Sequence, residues 1–321
     1  MIMRSRLIVF LFCSVIIPAT VGGQAFAHTA SQSQSGSSKD VDAANKKGDD
    51  ALKASKNAEA IDAYKQALAA DPNDDHALNG LAVAYNRSGD RAKALETMKR
   101  RLEVPGQSPS VKARTLQDIA LLCWDEADMR LARQTGSGQA KPEEVQMISQ
   151  LVAHGAASAQ TATQIAPKSA KAFSLLNLLD RTAASLETDP AKQKELMAKA
   201  DDALRSSIQF YEASPQQQQS SDMFAAPMVS TIGASGDASV KIAQPTKKSV
   251  PDSLKNAKGI TVTVEAFVGR DGKVSLCRAV TASGQLGDAA VEAVRHWEFQ
   301  PSSFDGHPVQ TVVVVSFPEA K

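Results

Sequence analysis

Residues 283–301 read Ser283-Gly284-Gln285-Leu286-Gly287-Asp288-Ala289-Ala290-Val291-Glu292-Ala293-Val294-Arg295-His296-Trp297-Glu298-Phe299-Gln300-Pro301. Ser283-Gly284 is a break. Asp288 to Trp297 is helical in pattern, because Ala290, Val294 and Trp297 recur at i, i+4 and i+7 and share one face. Trp297 and Phe299 are large apolar groups at the helix exit, placed to lock a helix onto a sheet; burying each is worth about 2–3 kcal/mol. Pro301 ends the segment, since proline neither continues a helix nor serves a central strand.

The flanks are strands. Upstream, Ile260, Val262, Val264 and Ala266 alternate with Thr261, Thr263 and Glu265, the pattern of a half-buried strand. Arg270-Asp271-Gly272-Lys273 follows, and Asp-Gly between apolar runs signals a hairpin, with Val274 to Thr281 as the return strand. Downstream, Pro301 and Gly306 mark a turn, glycine permitting a tight one. Val309 to Phe317 is then a final strand with an uninterrupted run at Val312 to Val315. The order is β-β-α-β, a helix on one side of a three-stranded sheet.

These separated elements, together with Gly306-His307-Pro308-Val309 and Val250-Pro251, resemble the TonB C-terminal domain. The resemblance covers 252–321. Gly284, Leu286, Asp288, Ala290, Trp297, Phe299, Pro301 and Gly306 are its fold signature, and as residues they read as core and turn rather than as partner contacts. The resemblance implies a two-membrane bacterial envelope. Such proteins couple the inner membrane's proton-driven motor to outer-membrane transporters by adding a short transporter segment as an extra strand. That mechanism needs an open sheet edge, and Gln310, Thr311, Val312, Val313, Val314, Val315 and Ser316 are the candidates for it. The same edge is also open to a second copy of the protein or to no partner.

The N-terminal half is helical and repetitive. Copies at Val41–Asp74 and Asp75–Ser108 are offset by one repeat length, with Gly48 aligned to Ala82, Ala60 to Ala94 and Tyr64 to Met98. Each copy reads as two antiparallel helices, small side chains where the helices touch and larger ones plugging the gap to the next copy. Asp71-Pro72-Asn73-Asp74 ends one hairpin and caps the next helix, and Ser88-Gly89-Asp90 makes an inner turn. The pattern resembles the tetratricopeptide repeat. Helices at 111–133, 142–165, 170–185 and 190–211 extend the domain to residue 213 as degenerate repeats or a helical cap; a plain helical domain is the alternative. The fold class is therefore α plus α+β, a helical-hairpin repeat domain followed by a small β-β-α-β domain. Residues 214–251, rich in Gln, Ser, Gly and Pro, read as a flexible linker.

The first 27 residues read as a signal peptide. Arg4 and Arg6 precede the apolar run Leu7 to Ile17, Pro18 breaks it, and Ala25-Phe26-Ala27 offers a cleavage site. The run is shorter than the ~20 residues a membrane-spanning helix needs. An uncleaved anchor over Leu7 to Val21 is the rival reading, and only it attaches the chain to a membrane. Residues 28–40 read as a disordered spacer.

Composition narrows the function. Net charge is +1, from 36 basic and 35 acidic residues, so nothing supplies the basic surplus of a nucleic-acid binder. His28, His76, His154, His296 and His307 lack metal-ligand spacing, and no phosphate-cradling glycine loop, Gly-x-Ser-x-Gly elbow or Cys-x-x-Cys is present. Asp74-Asp75 and Asp201-Asp202 read as helix N-terminal charge. Cys123 and Cys277 read as small buried hydrophobes. No cofactor, metal or catalytic residue is indicated. The expectation is a periplasmic adaptor whose C-terminal module takes a partner segment by strand addition, with an outer-membrane transporter as the candidate source, while the helical arm binds a second protein. A membrane-anchored transducer for transmembrane transport and a structural envelope protein are the alternatives. The sequence does not set oligomeric state.

Overall fold

A computed structural model describes residues 29–134, 141–232, 239–255, 260–281 and 284–317. The candidate signal peptide lies outside them. The arm consists of α1 (Thr29–Lys53), α2 (Asn57–Ala70), α3 (Asp75–Arg87), α4 (Arg91–Leu102), α5 (Pro109–Gln134), α6 (Pro142–Ile165), α7 (Ala170–Leu186) and α8 (Pro190–Glu212), packed as consecutive pairs. Side-chain caps start several of these helices. Asp74 accepts from the Ala77 N–H at 2.7 Å and Asp90 from the Lys93 N–H at 3.1 Å. Ser169 caps α7, and Asp189 with Pro190 opens α8.

Tyr64 shows how the repeats stack. Its fully buried ring lies between Gly48 of its own copy and Gly80 of the next, and a Cβ on Gly48 would come within 2.6 Å of the ring. The small residues let the helices close on the aromatic, as the spacing implied. The Tyr64 hydroxyl donates to Asp49 at 2.7 Å. Residues 29–40, expected as a spacer, are helical. Val41 and Ala51 dock α1 in the core, and once that nucleus exists the helix extends at little cost into polar sequence.

Of residues 214–251, expected as a flexible linker, the described stretches 214–232 and 239–251 form a strap across the arm and the C-terminal sheet. The strap contains α9 (Pro215–Gln218), a 3₁₀ turn at Met223–Ala225, β1 (Met228–Ser230), β2 (Val240–Lys241) and β3 (Gln244–Lys247). Its apolar run from Met223 to Val229 supplies the docking energy, and Ala225, Ala226, Met228 and Val229 are buried. The C-terminal module follows as α10 (Asp252–Lys255), β4 (Val262–Val268), β5 (Val274–Ala279), α11 (Gln285–Arg295), β6 (Glu298–Gln300), β7 (Ser302–Phe304) and β8 (His307–Phe317). Helix α11 starts three residues before the expected Asp288. The main sheet runs β2-β7-β8-β4-β5, with β1 paired in parallel to β8, and β3 pairs with β6 separately. Asp305 and Gly306, at φ 48° and 85°, make the tight turn between β7 and β8.

The sheet has two covered faces. Val264, Ala266, Val313 and Phe317 pack with Ala290, Val294 and Trp297 under α11, and the Trp297 and Phe317 rings meet edge-on at 5.9 Å. The sequence reading places a helix on one side of the sheet and nothing on the other. Instead Phe267 and Val312 join Trp124, Leu175 and Leu178 of the arm in one apolar cluster. Phe224 of the strap stands edge-on between Trp124 and Phe267, at 6.2 and 6.0 Å. Every residue of β4 is buried.

Because the Tyr64 ring fills the space beside Gly80, Gly80→Val is expected to lower unfolding free energy by about 1–3 kcal/mol, the cost of overpacking. Urea denaturation measures it, and an unchanged midpoint contradicts the stacking described.

Candidate protein-binding edge and the seam beneath it

Main-chain directions decide which part of β8 is free. Val264 pairs with Val315 and Ala266 with Val313 in the antiparallel β4–β8 ladder. The Gln310 N–H donates to the Pro227 carbonyl at 2.9 Å and the Thr231 N–H to the Val312 carbonyl at 2.9 Å. Even-numbered residues of β8 therefore turn their main-chain groups away from β4. Strand β1 takes the first of them, in the register Met228↔Gln310, Val229↔Thr311 and Ser230↔Val312. Its other flank is held by α7, where the Met228 N–H donates to Ser174 Oγ at 3.1 Å and Asn177 Nδ2 donates to the Met228 carbonyl at 2.7 Å.

Gln310, Thr311 and Val312, expected in an open edge, are thus covered by the chain's own β1. The cause is the apolar content of the strap, which inserts a parallel strand where an external one was expected. Beyond them the outer side changes. The Val314 N–H reaches Thr231 Oγ1 at 3.3 Å. Among the described residues no strand runs along this side of Val313 to Phe317. The Val314 carbonyl and the Ser316 main-chain groups point outward there. Beside them lies a groove of about 460 Å³ bounded by Ile242, Pro245, Trp297 and Phe299. Trp297 and Phe299 are themselves buried. Of the other signature residues, Ala290 lies on the buried face of α11, and Gly284 precedes the helix as its N-cap.

A charged seam joins the sheet to the arm. Glu265 of β4 is 0% exposed. Arg278 of β5 donates from Nε to Glu265 Oε2 at 2.7 Å and from an η nitrogen to Asp125 Oδ1 of α5 at 2.6 Å. Arg91 of α4 donates to the other Asp125 oxygen at 2.8 Å. It also approaches Glu126, which Arg130 bridges to Glu144. Burial opposes the charge on Arg278, but Asp125 and Glu265 more than offset it and hold the guanidinium above its ordinary value.

Asp128 lies deeper. Its Oδ1 accepts from Ser230 Oγ of β1 at 2.9 Å. Burial, then the neighbouring Glu265, push its carboxyl well above the usual range. Burial likewise raises Glu265, against the pull of Arg278. Asp128 Oδ2 and Glu265 Oε1 are both buried acceptors without a donor. One proton held between these two facing carboxyls satisfies both oxygens. The alternation in Thr263 and Glu265 indicated polar residues here but not what would cover them.

Other candidate groups lie elsewhere. Cys123 Sγ lies 3.5 Å from His154 Nδ1, yet burial pushes the thiol up to about 11, so it stays protonated near neutral pH. Cys123 and Cys277 are both unpaired. His76, His296 and His307 each pair with a surface carboxylate. Asp74 caps α3 and Asp75 holds Arg101. Asp201 and Asp202 sit mid-helix in α8 rather than at an N-terminus, because the helix starts at Pro190, and they pair with Arg181 and Arg205. Among the described residues no helix is long and apolar enough to cross a membrane.

Residues 45–108 match the tetratricopeptide repeat family, and residues 253–318 match the Gram-negative bacterial TonB protein C-terminal family. The chain thus places repeats of the first kind ahead of a domain of the second, and both are protein-interaction domains rather than catalytic ones. A comparison with curated proteins finds no match. Among solved structures, MamA from Desulfovibrio magneticus RS-1 is 13% identical, with 55% of this chain and 97% of that chain covered and a TM-score of 0.26. Pseudomonas aeruginosa pilF is 15% identical, with 56% and 86% covered and a TM-score of 0.26. The P58(IPK) TPR domain is 14% identical, with 60% and 65% covered and a TM-score of 0.27.

The shared proton sets a pH dependence. In the folded chain Asp128 keeps a proton that the unfolded chain releases above the ordinary carboxylate range. Stability therefore falls as pH rises from that range through the folded pKa. Asp128→Asn offers a donor that cannot be lost, so its melting temperature should decline less steeply than wild type as pH rises; parallel profiles contradict the shared proton. Arg278→Met leaves the buried Glu265 without its cation and Asp125 with Arg91 alone, and is expected to cost about 3–5 kcal/mol in urea unfolding.

Proposed function

We propose that the protein is an exported, periplasmic protein-binding adaptor of the TonB kind. Its C-terminal module takes a partner segment by strand addition along the outer side of β8 beyond Val312, and its helical repeats hold a second protein. The observation that carries this reading is the set of outward main-chain groups that no described residue pairs, the Val314 carbonyl and the N–H and carbonyl of Ser316, beside the groove under Trp297 and Phe299. Backbone pairing supplies affinity in such a site, and pockets for alternate side chains supply selectivity. The site is short because β1 caps its start. It therefore suits a brief extended segment, and a segment of an outer-membrane transporter is the partner class we assign.

A photo-crosslinking residue in place of Val314, in the native envelope, tests the assignment. The expected product is an adduct with another envelope protein that disappears on adding Ser316→Pro, which removes an outward N–H that no described residue uses. Adducts only between copies of the protein, or none, sink the reading. Export makes a separate expectation: the protein recovered from the periplasm should begin at His28, and a periplasm-facing product retaining Met1 in the inner membrane would instead favour the anchored transducer.

A further inference from the structure

The arm and the sheet leave a cleft beside the seam. It encloses about 400 Å³ between Asn79 and Val83 of α3 with Arg114 and Leu121 of α5 on one wall and Phe267 and Leu276 of the sheet on the other. Leu276 is 47% exposed whereas Phe267, its cross-strand partner, is 2% exposed, so the cleft opens along β5. Strand β5 ends the sheet on this side. The Val280 N–H donates to the Thr263 carbonyl at 2.7 Å, and this phase makes Glu265–Arg278 and Phe267–Leu276 the mutually bonded pairs. Cys277 and Ala279 consequently turn their main-chain groups outward, away from β4. Among the described residues nothing pairs with them.

One charge at the cleft has no partner among the described residues. Arg278 is paired with both Asp125 and Glu265, and Lys171 bridges Asp118 at 3.4 Å and Asp222 at 2.8 Å. Arg114 is exposed and has no ion pair or hydrogen bond among the described residues. Asn79 Oδ1 accepts from Arg101 at 2.8 Å, which leaves its amide NH₂ without an acceptor among them. An apolar cavity with an arginine that no described residue pairs and an amide without an acceptor at its mouth matches an apolar group followed by a carboxylate. The unpaired strand alongside favours a peptide as its carrier, because residues i and i+2 of an added strand project to one face.

We propose that the cleft and the outer edge of β5 form one docking site for an extended partner segment. That segment places a large apolar side chain in the cavity and an acidic side chain, on the same face, against Arg114. The proposal rests on reading the repeat arm as protein-binding and is independent of the β8 edge.

Fluorescence anisotropy of the full exported chain tests it, with the labelled peptide acetyl-Thr-Phe-Thr-Glu-Thr-Val-amide as probe. Saturable binding is expected, weakened about tenfold or more by Arg114→Glu, by Leu276→Asp, and by exchanging the peptide's Glu for Gln or its Phe for Ala, the scale of one lost charge-assisted contact. Ser316→Pro should leave it unchanged, so failure of the β8 assignment and failure of this one read out separately. Both variants sit on the surface, and matching circular dichroism and melting curves establish that they fold. No binding to wild type, binding indifferent to Arg114→Glu and Leu276→Asp, or binding lost only in Ser316→Pro overturns the proposal. Laurate binding that Leu276→Asp abolishes, without peptide binding, also overturns it and assigns the cavity to a small amphiphile.

Discussion

A carboxylate with no solvent contact has to be answered by other groups, and in this chain Glu265 is answered from both domains. Arg278 is its partner on the neighbouring strand, and Asp125, Asp128 and Ser230 complete the set from the arm and the strap. Removing the arm would leave Arg278 and Glu265 paired with each other but would expose the apolar side chains around them, Phe267 and Val312. The polar face of β4 and the inner wall of the arm are therefore complementary surfaces of one body. A small sheet with a helix on one side has an uncovered face of its own; here that face is buried against α5 and α7.

The strap follows from the same packing. β1 is only three residues long, too short to persist on main-chain pairing alone. It is held because Met228 and Val229 are buried between β8 and α7, and because Met228 exchanges hydrogen bonds with Ser174 and Asn177. By sitting there it removes Gln310 to Val312 from the exposed edge. Among the described residues, no strand pairs with the end of β8 on one flank or with the outer side of β5 on the other, two stretches separated by the width of the sheet. On the proposed reading, this division offers two distinct places to hold extended segments.

The C-terminal elements were legible because each carries a local signal. Asp271-Gly272 marks a hairpin, Ala290, Val294 and Trp297 mark a helix face, and Val312 to Val315 mark a buried strand. The repeat stacking was legible in Tyr64 and the small residues beside it. The strap was not legible, since the Gln, Ser and Gly surrounding Met223 to Val229 dominate its composition and a three-residue strand has no period to detect. The second covered face was hidden for a different reason: Thr263 and Glu265 are polar, and polarity in alternation reads as exposure unless the partner charges are known. Arg278 and Asp125 are 153 residues apart in sequence, so nothing local joins them.

The central claim is that arm and sheet form one body rather than two domains on a tether. Double electron–electron resonance between spin labels at Gln66→Cys on α2 and Glu292→Cys on α11, both exposed positions, measures it directly. A single narrow distance distribution, unchanged between dilute and crowded solution, is the predicted result. A broad distribution extending to the reach of a free linker over 214–251 would contradict it.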